Sequence, residues 1–349
     1  VPPTQKEIAK RLGVSQGLVS QILNGKWPAR SRLHQHILRE CERLGYLPNH
    51  AASALRTGRQ RTWGVILPSF TWLADFNRQI VQGIWQIAQE NSQSLSLMSI
   101  EGDEPDASEY MRQIRQGRFD GIFLFYAGKE NESTPDIPFE EINQLGVSTV
   151  VVNCPMRDGG VHHVYSDAEN GVIQVVRHLV EVHNRRRIAY LCRNKHSWLM
   201  EDRYRGYVRG HEELGMTVDP ALTVDLRSTG SYESDAEALV EELLARGASF
   251  DAIVTPMDYV GIPAIGALQD HGIRVPQDVS VTGFDDFHLC AGIRPRLTTV
   301  RCDGVEMGRK AAQMMLGVLE EKDNPAIRKF AIPTSLVVRE SCGCGRISD

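Results

Sequence analysis

The chain predicts an α/β protein in two parts: a small all-α head, then two doubly wound parallel-sheet lobes. Three observations carry this reading. Short helical periods fill the first 48 residues; short apolar runs alternate with longer helical patterns from Trp63 onward; and charge is unevenly divided between the two regions. Residues 1–62 hold eleven Lys plus Arg against three Asp plus Glu, a net of +8. The full 349 residues sum to −5, so the remaining 287 carry −13. A basic head on an acidic body is the electrostatic footprint of a nucleic-acid-binding protein.

The head begins with Thr4 and Glu7, spaced as a capping box in which hydroxyl and carboxylate satisfy the free N–H groups of a starting helix. Ile8, Ala9 and Leu12 fall on one face, and Gly13 ends the helix where a left-handed residue costs least. Ser15 can cap a second helix whose apolar face is Leu18, Val19, Ile22 and Leu23. Its other side carries Gln16, Gly17, Ser20, Gln21 and Asn24. Two short helices across a tight turn make a helix-turn-helix, with small Ala9 allowing the close crossing. After Trp27-Pro28 a third helix is capped by Ser31, presents Leu33, Ile37, Cys41 and Leu44, and stops at Gly45. Arg56 to Thr62 is polar and basic and reads as a linker.

In the body, Gly64–Leu67, Ser94–Ile100, Gly121–Tyr126 and Ser148–Val152 are buried runs preceded by helical stretches, one of them around Ile80, Ile84 and Ile87. Parallel strands covered on both faces give this pattern. A second round starts near Val164: a helix from Ala168 to His183, strands at Ile188–Leu191, Leu222–Leu226, Ala252–Thr255 and Val279–Gly283, and intervening helices across Arg203–Leu214, Asp235–Leu244 and Ile262–His271. Ligands of such sheets settle beyond the carboxyl ends of the strands. The residues there, among them Ser69 to Phe76, Asn153, Asp167 to Asn170, Lys195 to Arg203, Met257-Asp258 and Asp285-Asp286, mix aromatic, amide, carboxylate and guanidinium groups suited to a polar small molecule.

No apolar run approaches the roughly 18 residues of a membrane span, and the first residues lack the layout of a secretory signal, so no membrane role and a cytoplasmic location are expected. The seven cysteines are scattered and odd in number, which argues against a disulfide framework. Cys342-Gly-Cys344 is the only close pair, and no third or fourth ligand lies near it in sequence. Neither a metal nor a cofactor is expected.

With head, connector and two lobes in this order, the chain resembles the lactose-repressor family of bacterial transcription regulators. The resemblance rests on Ile8-Ala9, Leu12-Gly-Val-Ser15, Val19-Ser20, Leu23-Asn24, Tyr46-x-Pro-Asn49 with Ala52 and Leu55, and Arg203-x-x-Gly206-Tyr207. It continues through Gly272-Ile-Arg-Val-Pro276, Asp278-Val-Ser, Gly283-Phe-Asp-Asp286, Leu297-Thr-Thr-Val300 and Leu336-Val-Val-Arg339-Glu-Ser341. It implies a helix-turn-helix head at 1–48, a hinge helix and linker at 49–62, and a two-lobed body of periplasmic-binding-protein type at 63–342, with a tail at 343–349. The first lobe would comprise about 63–164 plus 300–327, and the second about 165–298 plus 328–342.

The family mechanism implies that the second helix enters the major groove of double-stranded operator DNA. Gln16, Gly17 and Gln21 then face base edges beside Ser20, with Thr4, Ser15 and Asn24 near phosphates. Asn49 would cap the hinge helix, Ala52 would sit against the minor groove, and Leu55 would wedge into a base step. The family commonly has Thr and Arg where Leu18 and Gln21 stand, and Gly17 offers no side chain. A half-site unlike that of the lactose repressor is therefore expected, since Gln prefers adenine where Arg prefers guanine. In the body the family pattern places Phe76, Asn170, Arg203, Tyr232, Asp258 and Asp285 around a small effector, a sugar or sugar derivative in family terms but not a simple galactoside, because Met257 and Gly304 depart from that pattern. An Arg near a helix start or an Asp after a strand is, taken alone, more often a cap or a surface ion pair.

Two other function classes fit poorly. Gly13-Val-Ser15-Gln-Gly17 matches the nucleophile elbow of hydrolases in letters, but it lies between helices rather than after a buried strand, so no enzyme is expected. A ligand-binding protein of a transport system would share the two lobes but not the basic head. A single short helix reads too few base pairs, so a homodimer on a near-palindromic operator is expected. The residues after Glu340 hold no apolar heptads, so a tetramer-forming tail is not expected.

Overall fold

The computed structural model describes residues 3–23, 31–46, 60–67, 75–100, 107–125, 139–156, 160–193, 198–226, 232–321 and 326–345. They fall into two compact units, the first ending at Gln60 and the second starting at Arg61.

The first unit is built from α1 (Gln5–Leu12), α2 (Gln16–Leu23) and α3 (Arg32–Arg43). Its core is Ile8, Ala9, Val19, Ile22, Ile37 and Cys41, edged by Leu12, Val14, Leu18, Leu23, Leu38, Leu44 and Tyr46. Helices this short are marginal alone and are held by that shared apolar face. Leu33, which helical spacing places with the core, is instead 40% exposed; it sits in the first turn of α3, ahead of the turns that bury Ile37 and Cys41.

The second unit contains two parallel sheets. The first has six strands in the order β11-β5-β4-β3-β1-β2, where β1 is Thr62–Leu67, β2 Ser94–Ser99, β3 Gly121–Phe125, β4 Ser148–Val152, β5 His162–Ser166 and β11 Lys329–Ile332. Helices α4 (Asp75–Glu90), α5 (Ala107–Gly117) and α6 (Phe139–Gln144) connect the first four. The second sheet has the order β7-β6-β8-β9, formed by β6 (Ile188–Arg193), β7 (Thr223–Leu226), β8 (Ala252–Val254) and β9 (Ser280–Thr282). Its helices are α7 (Ala168–Glu181), α8 (Trp198–Glu213), α9 (Tyr232–Ala245), α10 (Asp258–Asp270) and the single turn α11 (Leu289–Gly292). Strand β10 (Thr299–Cys302) leads into α12 (Gly304–Glu320), and β12 (Thr334–Val337) returns antiparallel to β10. Runs such as Val65–Leu67 and Val150–Val152 are wholly buried, as strands covered on both faces must be.

The lobe boundary differs from the expected one in the closing stretch. Residues 329–332 do not join the second lobe but pair in parallel with 163–166 at the edge of the first sheet, Phe330 opposite Val164. The chain therefore passes between the sheets near residues 167, 303 and 333. Helices α8 and α10 also begin earlier than expected, at Trp198 and Asp258, and Pro263 lies inside α10. Among the described residues, no helix is long and apolar enough to cross a membrane.

Close packing in the first lobe depends on glycine. A Cβ on Gly83 of α4 would strike the Val305 carbonyl, and one on Gly308 of α12 would strike the Ile80 carbonyl. Across these bare positions the two helices approach closely and bury Ile80, Ile84, Met307 and Ala311.

Candidate nucleic-acid interface and effector cleft

In the head, the expected caps are made. Thr4 Oγ1 accepts from the Glu7 amide at 3.3 Å while the Glu7 carboxylate accepts from the Thr4 amide at 2.7 Å. These bonds hold the Glu7 carboxyl below its ordinary range. Gly13 takes φ +64°, and Ser15 Oγ accepts from the Leu18 amide at 3.1 Å. With Val19 and Ile22 turned inward, α2 leaves Gln16, Gly17 and Gln21 exposed and Ser20 half-buried. Lys6, Lys10 and Arg11 are exposed on α1, and Arg32 and Arg39 on α3. The structure therefore brings Thr4, Ser15, Gln16, Gly17, Ser20 and Gln21 onto one small three-helix unit. Asn24, Asn49, Ala52 and Leu55 lie outside the described residues. Tyr46, expected as part of the hinge motif, also works in the fold: its hydroxyl accepts from Gln5 Nε2 at 3.0 Å and ties the exit of α3 to α1.

In the second lobe, three expected effector residues form one buried cluster at the carboxyl ends of β8 and β9. Arg203 of α8 is 2% exposed. Its Nη2 donates to Asp285 Oδ1 at 3.0 Å, its Nη1 to the Pro256 carbonyl, and its guanidinium lies 4.0 Å from the centre of the Phe284 ring. Nε of Arg203 is buried with no hydrogen-bond partner. Asp285 is held with φ +103°, and its amide donates to the Val300 carbonyl at 2.9 Å. That left-handed backbone, unusual for a non-glycine residue, aims the carboxylate at Arg203. Asp258, at the start of α10, is fully buried: Oδ1 accepts from Thr299 Oγ1 at 2.6 Å and Oδ2 from the Phe287 amide at 2.9 Å. Burial, with the Asp285 charge adding to it, raises the Asp258 carboxyl to about 7. Burial also raises Asp285, against the opposing pull of Arg203. Cys302 faces the same cluster, its thiol pushed up to about 12 by burial and by Asp285.

The other three are separate. Phe76 is buried in the first lobe, where its ring and carbonyl fill the space a side chain at Gly304 would need. Asn170 is exposed in the first turn of α7. Tyr232 opens α9, but its side chain lies outside the described residues.

Sequence reasoning missed two charged clasps around this cluster. Arg205 donates to Glu169 and Asp202 at 2.6 and 2.7 Å, and Arg209 reaches Glu169 at 2.5 Å, which joins α8 to α7. Burial pushes the Glu169 carboxyl up, yet the two guanidiniums outweigh it and hold it low. Asp286 accepts from Arg301 at 2.6 Å and from Arg339 at 2.5 Å, drawing the closing segment onto the turn that carries Asp285. A polar cavity of about 350 Å³ lies beside the Glu169 clasp, lined by Tyr165, Asp167, Glu169, Asp202, Arg205 and Lys329 among others.

The Cys342–Cys344 pair does have further ligand-type neighbours: His178 and His183, from far earlier in the chain, bring their ring nitrogens to the two sulfurs, and all four atoms lie within 4.8 Å of one another. Sequence distance hid this, because only the packing of α7 against the closing segment joins them.

Residues 176–342 match the family model described as a periplasmic binding protein-like domain. The chain is 29% identical over 343 residues to the HTH-type transcriptional regulator RegA of Clostridium saccharobutylicum, covering 96% of this chain and 98% of that one. It is 28% identical to the HTH-type transcriptional regulator GalR of Escherichia coli, covering 97% and 95%. Among solved structures it is similar to a transcriptional regulator CelR in complex with cellobiose, at 25% identity and a TM-score of 0.71, covering 97% of this chain and 99% of that one.

Proposed function

We propose that the chain, similar along nearly its whole length to HTH-type transcriptional regulators, is a repressor of the lactose-repressor family that acts as a homodimer on a near-palindromic operator. It is a ligand-controlled DNA-binding regulator. Gln16 and Gln21 read base edges in the major groove beside Ser20, Gly17 lets the backbone approach, and Thr4, Ser15 and Asn24 stand at phosphates. Asn49, Ala52 and Leu55 supply the hinge contact in the minor groove. The observation that carries the DNA assignment is the exposure of Gln16, Gly17 and Gln21 on the face of α2 opposite the buried Val19 and Ile22.

The effector is a hydroxylated, sugar-like metabolite. Arg203 and Asp285 form a donor and acceptor pair fixed in a low-dielectric setting, which suits neighbouring hydroxyls that both give and take hydrogen bonds. Asp258 stands in the same buried cluster, its two oxygens accepting from Thr299 and Phe287. Phe76, Asn170 and Tyr232 complete the contacts from the first lobe and from α7 and α9. The relative solved with cellobiose supports this ligand class. The protein would act in the cytoplasm, where its operator is.

In vitro DNA selection with the full chain, followed by the same selection with Gln21→Ala, tests the DNA assignment: base preference is expected to relax at one position of each half-site. An unchanged profile at every position would overturn the assignment of Gln21. A thermal-shift screen of sugars and sugar acids tests the ligand class, because a ligand that binds only the native state raises its stability.

A further inference from the structure

We propose that His178, His183, Cys342 and Cys344 form a zinc site that fastens the closing segment of the chain to α7. The geometry is that of a four-ligand cage. His178 Nε2 lies 3.4 Å from Cys342 Sγ and 3.8 Å from Cys344 Sγ, and His183 Nε2 lies 3.3 Å from Cys344 Sγ. Tetrahedral zinc, with its usual bond lengths to sulfur and nitrogen, places such atoms about 3.5 Å apart. The two imidazole rings stand at 73° with centroids 5.0 Å apart, so their nitrogens converge rather than stack.

Each ligand is positioned by structure that does not depend on an ion. His178 sits in the last turn of α7, and His183 follows just past the helix end, where Asn184 with φ +52° turns the chain. Cys342 closes a short 3-10 turn; its carbonyl accepts from Ser280 Oγ at 2.8 Å, while Ser341 Oγ donates to the Val281 carbonyl at 2.5 Å. Gly343 takes φ +110°, and a Cβ there would lie 3.0 Å from His183 Nδ1. Glycine between the two cysteines is thus required twice, for the backbone turn and for the approach of the ring.

Two sulfur and two nitrogen donors select a borderline-soft cation, which excludes magnesium and calcium and favours zinc. Binding would release one proton from each cysteine, and two thiolates balance the dication, so the half-buried site takes up no net charge. The site lies on the second lobe, apart from the Arg203–Asp285 cluster, and its role is structural.

The test uses the full chain without a histidine tag, reduced, stripped by chelator and titrated with Co2+. The expected result is one Co2+ per chain with the visible bands of tetrahedral cobalt and a thiolate-to-cobalt charge-transfer band, both abolished by zinc. Cys344→Ser and His178→Ala should each weaken binding at least tenfold, whereas Cys41→Ser in the head should not. Because the wild-type spectrum reports the ligand set directly, a poorly folding variant leaves the test intact. No stoichiometric uptake, a spectrum without thiolate charge transfer, or tenfold-unchanged affinity in both folded variants would overturn the site. So would a Cys342–Cys344 disulfide that, once reduced, takes up no metal.

Discussion

At the scale of single residues, charge in low dielectric dominates. Arg203 serves the Pro256 carbonyl, the Asp285 carboxylate and the Phe284 ring at once. Lysine has one compact cation and cannot make all three contacts. Arg203→Lys is therefore expected to lose ligand binding at least tenfold and to destabilise the second unit by about 1–3 kcal/mol, the cost of leaving a buried hydrogen-bonding group without its partner. Calorimetry and urea unfolding would check the two effects separately. Asp258 makes a pH prediction. Its folded value of about 7 stands above the ordinary 3.8 because of burial and then Asp285, so the folded state holds the proton more tightly than the unfolded chain. That contribution is complete below about pH 4 and is lost as pH rises through about 7. Asp258→Asn can still accept from Phe287 and donate to Thr299, and it does not titrate. Its melting temperature should gain on the wild type as pH rises from 5 to 8; parallel curves would contradict the raised carboxyl.

At the scale of elements, local rules explain most of the head. The Thr4–Glu7 box, Gly13 and Ser15 are legible in the sequence because each acts on backbone within four residues. Thr4→Ala should cost about 1 kcal/mol of head stability, read by thermal melting of the helical signal. Gly17 is informative in the other direction. A Cβ there would meet only Ser15 Oγ at 3.9 Å, so Gly17→Ala should stabilise α2 by about 0.5–1 kcal/mol. Any loss of operator affinity in that variant then reports on readout rather than on folding. In the body, Gly308→Ala should destabilise by about 1–3 kcal/mol, because its Cβ meets the Ile80 carbonyl, which cannot move without prising α4 from α12. Helix limits were less legible. The helix expected from Ile262 begins at Asp258, whose side chain is anchored by Thr299 from a distant strand, and it takes Pro263 into its second turn.

At the scale of the molecule, function depends on coupling the basic head to the two-lobed body. The chain crosses between the sheets near residues 167, 303 and 333, and a ligand at Arg203 and Asp285 would bias the angle between lobes across those crossings. Linkage makes the coupling reciprocal: whatever factor the ligand imposes on operator affinity, operator must impose on ligand affinity. Ligand titrations with and without operator should therefore give the same factor, typically between about 5-fold and 150-fold, as operator titrations with and without ligand. Sedimentation of the full chain is expected to give a dimer, and a tetramer at low salt would contradict it. Several motif residues prove structural at this scale. Tyr207 donates to the Ile188 carbonyl at 2.7 Å, a Cβ on Gly206 would strike Glu169, and Arg339 draws the last strand onto Asp286.

The sequence by itself determined the class of fold, the helix-turn-helix and its caps, the succession of strands and the charge division, because these depend on local periodicity, nearby hydrogen bonds and composition. Only the tertiary structure decided which expected ligands share one buried cluster, that residues 329–332 belong to the first sheet, that Asp286 is held by Arg301 and Arg339, and that two histidines meet the cysteines of the closing segment. These contacts join residues far apart in the chain. Their partners are set by how helices and strands pack, a property that no local pattern encodes.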